Sequence, residues 1–132
     1  MLVLAAAGRS PAGAQDDLGA ADSLGVAEMM FCVDIENRTC AGENTQFFGT
    51  AERIWCWTHI TGADDSLTVK HVWYYGDERM AEVELPVRSP SWRTWSSKKL
   101  MDRWSGAWRV DVVGPDGEVL RSGEFVYKPL AE

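Results

Sequence analysis

The residues in this sequence best suited to chemistry lie in one stretch, Ser91-Trp92-Arg93-Thr94-Trp95-Ser96-Ser97-Lys98-Lys99-Leu100. Widened to residues 88–109, the window holds Arg88, Arg93, Lys98, Lys99, Arg103 and Arg109 against a single acid, Asp102, together with Trp92, Trp95, Trp104 and Trp108. Indoles can stack on a sugar or aromatic ring while guanidinium and ammonium groups read an acidic substituent. That makes Trp92, Arg93, Trp95 and Lys98 a candidate ligand site. The same residue types also suit a structural use, with arginines lying over tryptophan faces at about 0.5–1 kcal/mol per exposed contact. Trp73, Trp108 and Arg109 are the candidates for such a ladder, with Arg93 extending it. In a strand, Trp92 and Trp95 point to opposite faces unless a bulge intervenes, which argues against one continuous stacking platform and favours the ladder.

Other chemistries find less support. A nucleophile needs a base within hydrogen-bond reach and a third group to orient it. The two histidines, His59 and His71, have no obvious partner by spacing, and Ser96-Ser97-Lys98 lacks the helical Ser-x-x-Lys spacing. No catalytic residues are assigned, and the expectation is a protein that is not an enzyme. His59 and His71 as a metal pair want a carboxylate that spacing does not supply, so no metal and no cofactor are expected. His71 reads instead as a buried, hydrogen-bonded histidine. Cys32, Cys40 and Cys56 allow at most one bridge and form no Cys-x-x-Cys motif. The pair on neighbouring strands, Cys32 and Cys56, is the favoured bridge, with Cys32–Cys40 its main rival.

The elements that must position these groups are short strands. Residues 28–35 and 52–60 are apolar and rich in aromatic and β-branched side chains, as is 67–75. A hairpin turn at 61–66 would bring His59 near His71 and Cys56 near Trp73. Ala81, Val83, Leu85 and Val87 alternate with Glu82, Glu84, Pro86 and Arg88, a half-buried strand that is either an edge strand or turns the Pro86 nitrogen outward, because proline has no N–H to donate. Residues 92–97 form a fifth strand. Ser97 could cap a short helix over 98–104, stopped by Gly106. Residues 107–113, the turn Gly114-Pro115-Asp116-Gly117 and a strand over 119–127, bulged at Gly123, complete the chain. The loop at 36–50 is expected to tuck Phe47 and Phe48 inward. About seven strands with regular turn signals predict an all-β, antiparallel immunoglobulin-like or fibronectin-like sandwich.

The chain has 132 residues and a formal charge of −7, room for one packed domain without the basic field of a general nucleic-acid binder. Met1-Leu2-Val3-Leu4-Ala5-Ala6-Ala7 is apolar but too short to span a bilayer. With Ala12-Gly13-Ala14 after it, residues 1–14 read as the remnant of a signal peptide and Gln15 as the mature start. Residues 15–26 read as a flexible arm and 27–130 as the sandwich.

His71-Val72-Trp73-Tyr74-Tyr75-Gly76-Asp77, the Ser91–Lys98 stretch, Gly106-x-Trp108-Arg109-Val110 and Pro115-Asp116-Gly117-x-Val119-Leu120 together resemble the bacterial family called domain of unknown function 2914. The likeness runs from about Met30 to Tyr127 and includes Asn37-Arg38, whereas Cys40 stands where members tend to carry proline. Cys56 and, less often, Cys32 resemble cysteines of many relatives. The resemblance implies a small all-β domain of the bacterial envelope, sometimes fused to other modules, and no reaction. The expectation is a periplasmic or secreted interaction module without a transmembrane segment, monomeric or weakly oligomeric. Its partner would be an envelope protein or a surface glycan, not nucleic acid. The alternative is a carbohydrate-binding or small acidic-ligand domain using the tryptophan island.

Overall fold

Period-two patterning takes nearly every long segment of this chain into strand. The computed structural model describes residues 23–49 and 52–129 and has ten strands there. They are β1 (Gly25–Cys32), β2 (Asp34–Glu36), β3 (Thr39–Ala41), β4 (Gln46–Phe48) and β5 (Arg53–Thr61), then β6 (Leu67–Tyr75), β7 (Glu78–Val87), β8 (Ser91–Lys99), β9 (Gly106–Val113) and β10 (Val119–Lys128). The expected leader and most of the expected arm lie outside the described residues; β1 begins at Gly25, inside the stretch read as an arm.

Two sheets face each other. One has the order β1-β5-β8 and the other β4-β10-β9-β6-β7, while β2 and β3 form a separate small hairpin. Neighbours pair antiparallel except β4, which runs parallel to β10. The seven expected strands are the seven long ones. The short additions come from the segment read as loop, where β4 buries Phe47 and leaves Phe48 exposed because successive residues of a strand point to opposite sides.

The core between the sheets is aromatic. Phe31 of β1 and Ile54 and Cys56 of β5 meet Trp73, Trp108, Val110, Phe125 and Tyr127 of the larger sheet. Trp108 stacks on Phe125 with centroids 6.0 Å apart and planes 8° apart, and Phe31 lies 4.9 Å from Phe125. Gly123 sits regularly opposite Val110, and the bulge falls instead at Val112/Val113. A Cβ at Gly123 would lie 3.0 Å from Phe31 and 3.1 Å from Met29, so the glycine lets β1 approach β10 closely.

Three further expectations are corrected. Residues 61–66 are no hairpin turn: β5 and β6 lie in different sheets, and the segment crosses between them. The short helix over 98–104 reduces to a 3₁₀ turn at Asp102–Trp104 with no side-chain cap, because β8 continues through Lys99 before the turn begins. The bridge is Cys32–Cys40, with Cα atoms 5.6 Å apart, and Cys56 is free. Cys32 pairs across strands with Trp55, and Cys56 pairs with Phe31. That single-residue offset puts the two sulfurs on opposite faces of the sheet, where no bridge can form. Burial pushes the Cys56 thiol far up, which disfavours its reactive thiolate.

Candidate functional site

The outer face of the three-stranded sheet carries the basic and aromatic side chains. On β5, Ile54, Cys56, Thr58 and Ile60 point into the core, so Arg53, Trp55, Trp57 and His59 face outward. On β8 the same parity sends Arg93, Trp95, Ser97 and Lys99 outward. The register sets Trp57 beside Trp95 and His59 beside Arg93. The β2–β3 hairpin folds back over this face, and the Cys32–Cys40 bridge ties it down.

The tip of that hairpin is Asn37-Arg38, both with left-handed backbone, φ 52° and 66°. A two-residue hairpin turn of the primed kind requires this, and asparagine takes it readily whereas arginine does so uncommonly. The surroundings hold it there. The indole N–H of Trp57 donates to the Arg38 carbonyl at 2.8 Å, and the Arg38 guanidinium lies 5.7 Å from the Trp95 ring centroid. Trp57 is thereby buried to 3% exposure although it points away from the core.

Arg38, Arg88, Arg93, Pro86, Trp92 and Trp95 line a cleft of about 310 Å³. Among the described residues no carboxylate pairs with any of the three arginines; the ion pairs there join Lys70 and Arg79 to Glu82 and Arg109 to Asp111. Three unpaired guanidinium groups beside an indole can hold a carboxylate or phosphate through charge-assisted, often bidentate hydrogen bonds.

Of the four residues expected to bind ligand, the structure gathers Trp92, Arg93 and Trp95 at this cleft and sends Lys98 elsewhere. Lys98 is on the opposite parity, its ammonium 4.7 Å from the centroid of Trp104, which Arg103 also covers at 5.0 Å. Burial, then the nearby Arg53 charge, lowers the Lys98 pKa.

The expected ladder is not formed as read. Trp73 and Trp108 are core residues, 0% and 1% exposed. Arg109 follows Trp108 in the same strand and therefore faces the other way. Its guanidinium covers its cross-strand neighbour Tyr74 at 4.2 Å and its Nε donates to Asp111 at 3.0 Å. Arg93 covers no ring among the described residues. The cation–π contacts exist, but their partners are Arg38 with Trp95, Lys98 and Arg103 with Trp104, and Arg109 with Tyr74.

The histidines are parted as well. His59, on the outer face, hydrogen-bonds Ser91 at 2.7 Å. His71 is fully buried between the sheets, and its bonds assign its tautomer. The Thr58 hydroxyl donates to the Thr94 carbonyl at 3.1 Å, so it accepts from His71 Nε2–H, also at 3.1 Å. Nδ1 is then the acceptor for the Ser96 hydroxyl at 2.6 Å, and Ser96 Oγ accepts the indole N–H of Trp73 at 3.1 Å. This one-way relay satisfies each group and stitches β5 and β8 to β6. The Ser96–His71 distance suits nucleophile activation, yet both side chains are committed to the relay inside the core. Desolvation lowers His71 from its ordinary 6.5 to about 3.

Residues 66–127 match the model of a family described as Protein of unknown function (DUF2914). Over that stretch the chain is similar to the DUF2914 family. That match runs from the start of β6 into β10, so it includes Arg88, Trp92, Arg93 and Trp95, while the hairpin with Arg38 and the disulfide precede it. The DUF2914 description names no reaction. No curated protein matches the chain. No helix among the described residues is long and apolar enough to cross a membrane.

The residue missed in sequence was Arg38. Its signal was Asn37-Arg38 between two short β-prone segments flanked by Cys32 and Cys40, the pattern of a bridged hairpin read instead as part of the loop at 36–50. The disulfide closes a short loop, for which chain entropy gives about 2–3 kcal/mol of stabilisation. Reduction of the bridge, or Cys40→Ser, is expected to lower stability by that amount. It should also raise acrylamide quenching of tryptophan fluorescence, as the hairpin lifts from Trp57 and Trp95. Unchanged quenching after complete reduction would show that the hairpin stays in place without the bridge.

Proposed function

We propose that this chain is an exported, non-catalytic interaction module of the bacterial envelope, contacting its partner through the Arg38–Arg93–Trp95 face. One observation carries the reading: a cleft with three arginines unpaired among the described residues, organised by a disulfide-tied hairpin whose tip holds an arginine in left-handed backbone. Backbone of that kind persists where the surroundings impose it, and functional surfaces are where it concentrates. A disulfide fits an oxidising compartment, periplasmic or extracellular. The order β1-β5-β8 against β10-β9-β6-β7 supports an immunoglobulin-like or fibronectin-like assignment of the sandwich, a scaffold widely used for surface contacts. The partner is an envelope protein or a surface glycan. The carbohydrate alternative loses ground because Trp92 and Trp95 face opposite sides and Lys98 is diverted to Trp104.

The test is photo-crosslinking in cells from an analogue placed at Ser91, on the same outward parity, with the native protein fractionated in parallel. The expected result is a discrete adduct in the envelope or periplasmic fraction that the double variant Arg38→Ala/Arg93→Ala reduces at least fivefold. A cytoplasmic protein retaining Met1, or adducts indifferent to both arginines, would sink the reading.

A further inference from the structure

We propose that the free edge of β8 receives an extended acidic peptide, added as a fourth strand to the three-stranded sheet, with its carboxylates held by Arg38, Arg88 and Arg93. The inference rests on the interaction-module reading and names the partner's chemistry. It starts from parity. Trp92 and Trp95 point to opposite faces of β8, yet both line the same cleft. Side chains on opposite faces share a cleft only where it runs along the strand's edge, so the cleft follows the side of β8 that β5 leaves open. β8 pairs with β5 from Ser91 to Lys99 and is the last strand of its sheet among the described residues. Such an edge presents unpaired backbone groups, which proteins ordinarily cover or blunt. An incoming strand uses them for affinity and takes its specificity from the side chains alongside.

Those side chains select acid. The lining has three arginines and no carboxylate, in a chain of net charge −7. A strand laid beside β8 turns alternate residues to the outer face, where Arg38 and Arg93 lie. The intervening residues turn toward Trp92 and Pro86, which offer apolar surface. From Trp92 to Trp95 the edge runs ~10 Å at ~3.3 Å per residue, enough to engage three or four peptide residues. A glycan fits this geometry less well, because the two indoles form no coplanar platform and Arg38 already lies over Trp95.

The probe is a fluorescent, N-acetylated ten-residue peptide alternating glutamate and threonine, titrated by anisotropy into the purified, oxidised chain at low salt. Saturable binding is expected, with protection from amide hydrogen exchange at residues 92–95. Arg88→Ala and Arg93→Ala, both at exposed positions, should each weaken it at least fivefold while leaving the melting temperature unchanged. Replacing the glutamates by glutamine should weaken it at least tenfold, and N-methylating alternate amides should abolish it. Equal binding of the N-methylated peptide would reduce the effect to charge attraction and overturn strand addition. No saturable binding, or tighter arginine-dependent binding of an oligogalacturonate of equal charge, also overturns the proposal. In either case the arginine-dependent adduct formed in cells would leave the interaction-module reading standing.

Discussion

Trp108→Ala is expected to destabilise the fold by about 3–5 kcal/mol, against a total of roughly 5–15 kcal/mol for a domain of this kind. The indole is 1% exposed, stacked on Phe125, 5.2 Å from Tyr75 and 6.3 Å from Trp104 between ring centroids. Its N–H donates to the Trp104 carbonyl at 2.8 Å. Alanine leaves a void where three rings met and orphans that carbonyl, and the surrounding sheet cannot collapse without losing register. Arg109→Ala, one residue on, should cost less, about 1–2 kcal/mol. It removes a half-exposed contact with Tyr74 and the cation beside Asp111, which is 8% exposed but keeps the Ser122 hydroxyl as a donor. Urea unfolding of both variants checks the contrast. Equal losses in the two would mean that Arg109 supports the core after all.

The second large effect is a dependence on pH through His71. Its folded pKa is depressed, so it stays neutral in the native state while the unfolded chain takes up a proton near the ordinary value of 6.5. Stability from this group is therefore complete above about 6.5 and falls as pH drops toward about 3, because only the unfolded state binds the proton. The loss should reach about 2 kcal/mol by pH 5, at ~1.4 kcal/mol per unit. His71→Leu should cost about 2–4 kcal/mol at pH 7.5, since Ser96 loses its acceptor and Thr58 the N–H it accepted. It should also flatten the slope between pH 7 and 5. Exposed carboxylates such as Glu82, lowered by its hydrogen bond and charge contact with Lys70, lose stabilisation in the same direction at lower pH. The difference between wild type and variant isolates the histidine. A His71→Leu protein with the wild-type slope would place the titrating group elsewhere.

Local pattern determined much of this protein. Strict alternation from Ala81 to Val87, with Pro86 unable to donate, left an edge strand or an outward-facing nitrogen, and the structure has the strand at the rim of the five-stranded sheet. The residues at 67–75 form a strand with the bounds read from composition, because aromatic and β-branched side chains favour the pleat and turn residues bound it at both ends. Parity alone separated Trp92 from Trp95 and, applied to Trp108 and Arg109, contained the reason the ladder fails.

What the tertiary structure decided was pairing at long range. Nothing local tells residues 61–66 to cross between sheets rather than close a hairpin, and that choice separates His59 from His71 while bringing Thr58, His71 and Ser96 into one relay. The bridge turned on a one-residue register between β1 and β5, which places Cys32 outside and Cys56 inside. Arg38 lies far in sequence from Arg88, Arg93 and Trp95, and only a hairpin folded back over the sheet joins them. Backbone pairing and burial are properties of two segments at once, so the sequence of either segment carries half of the information.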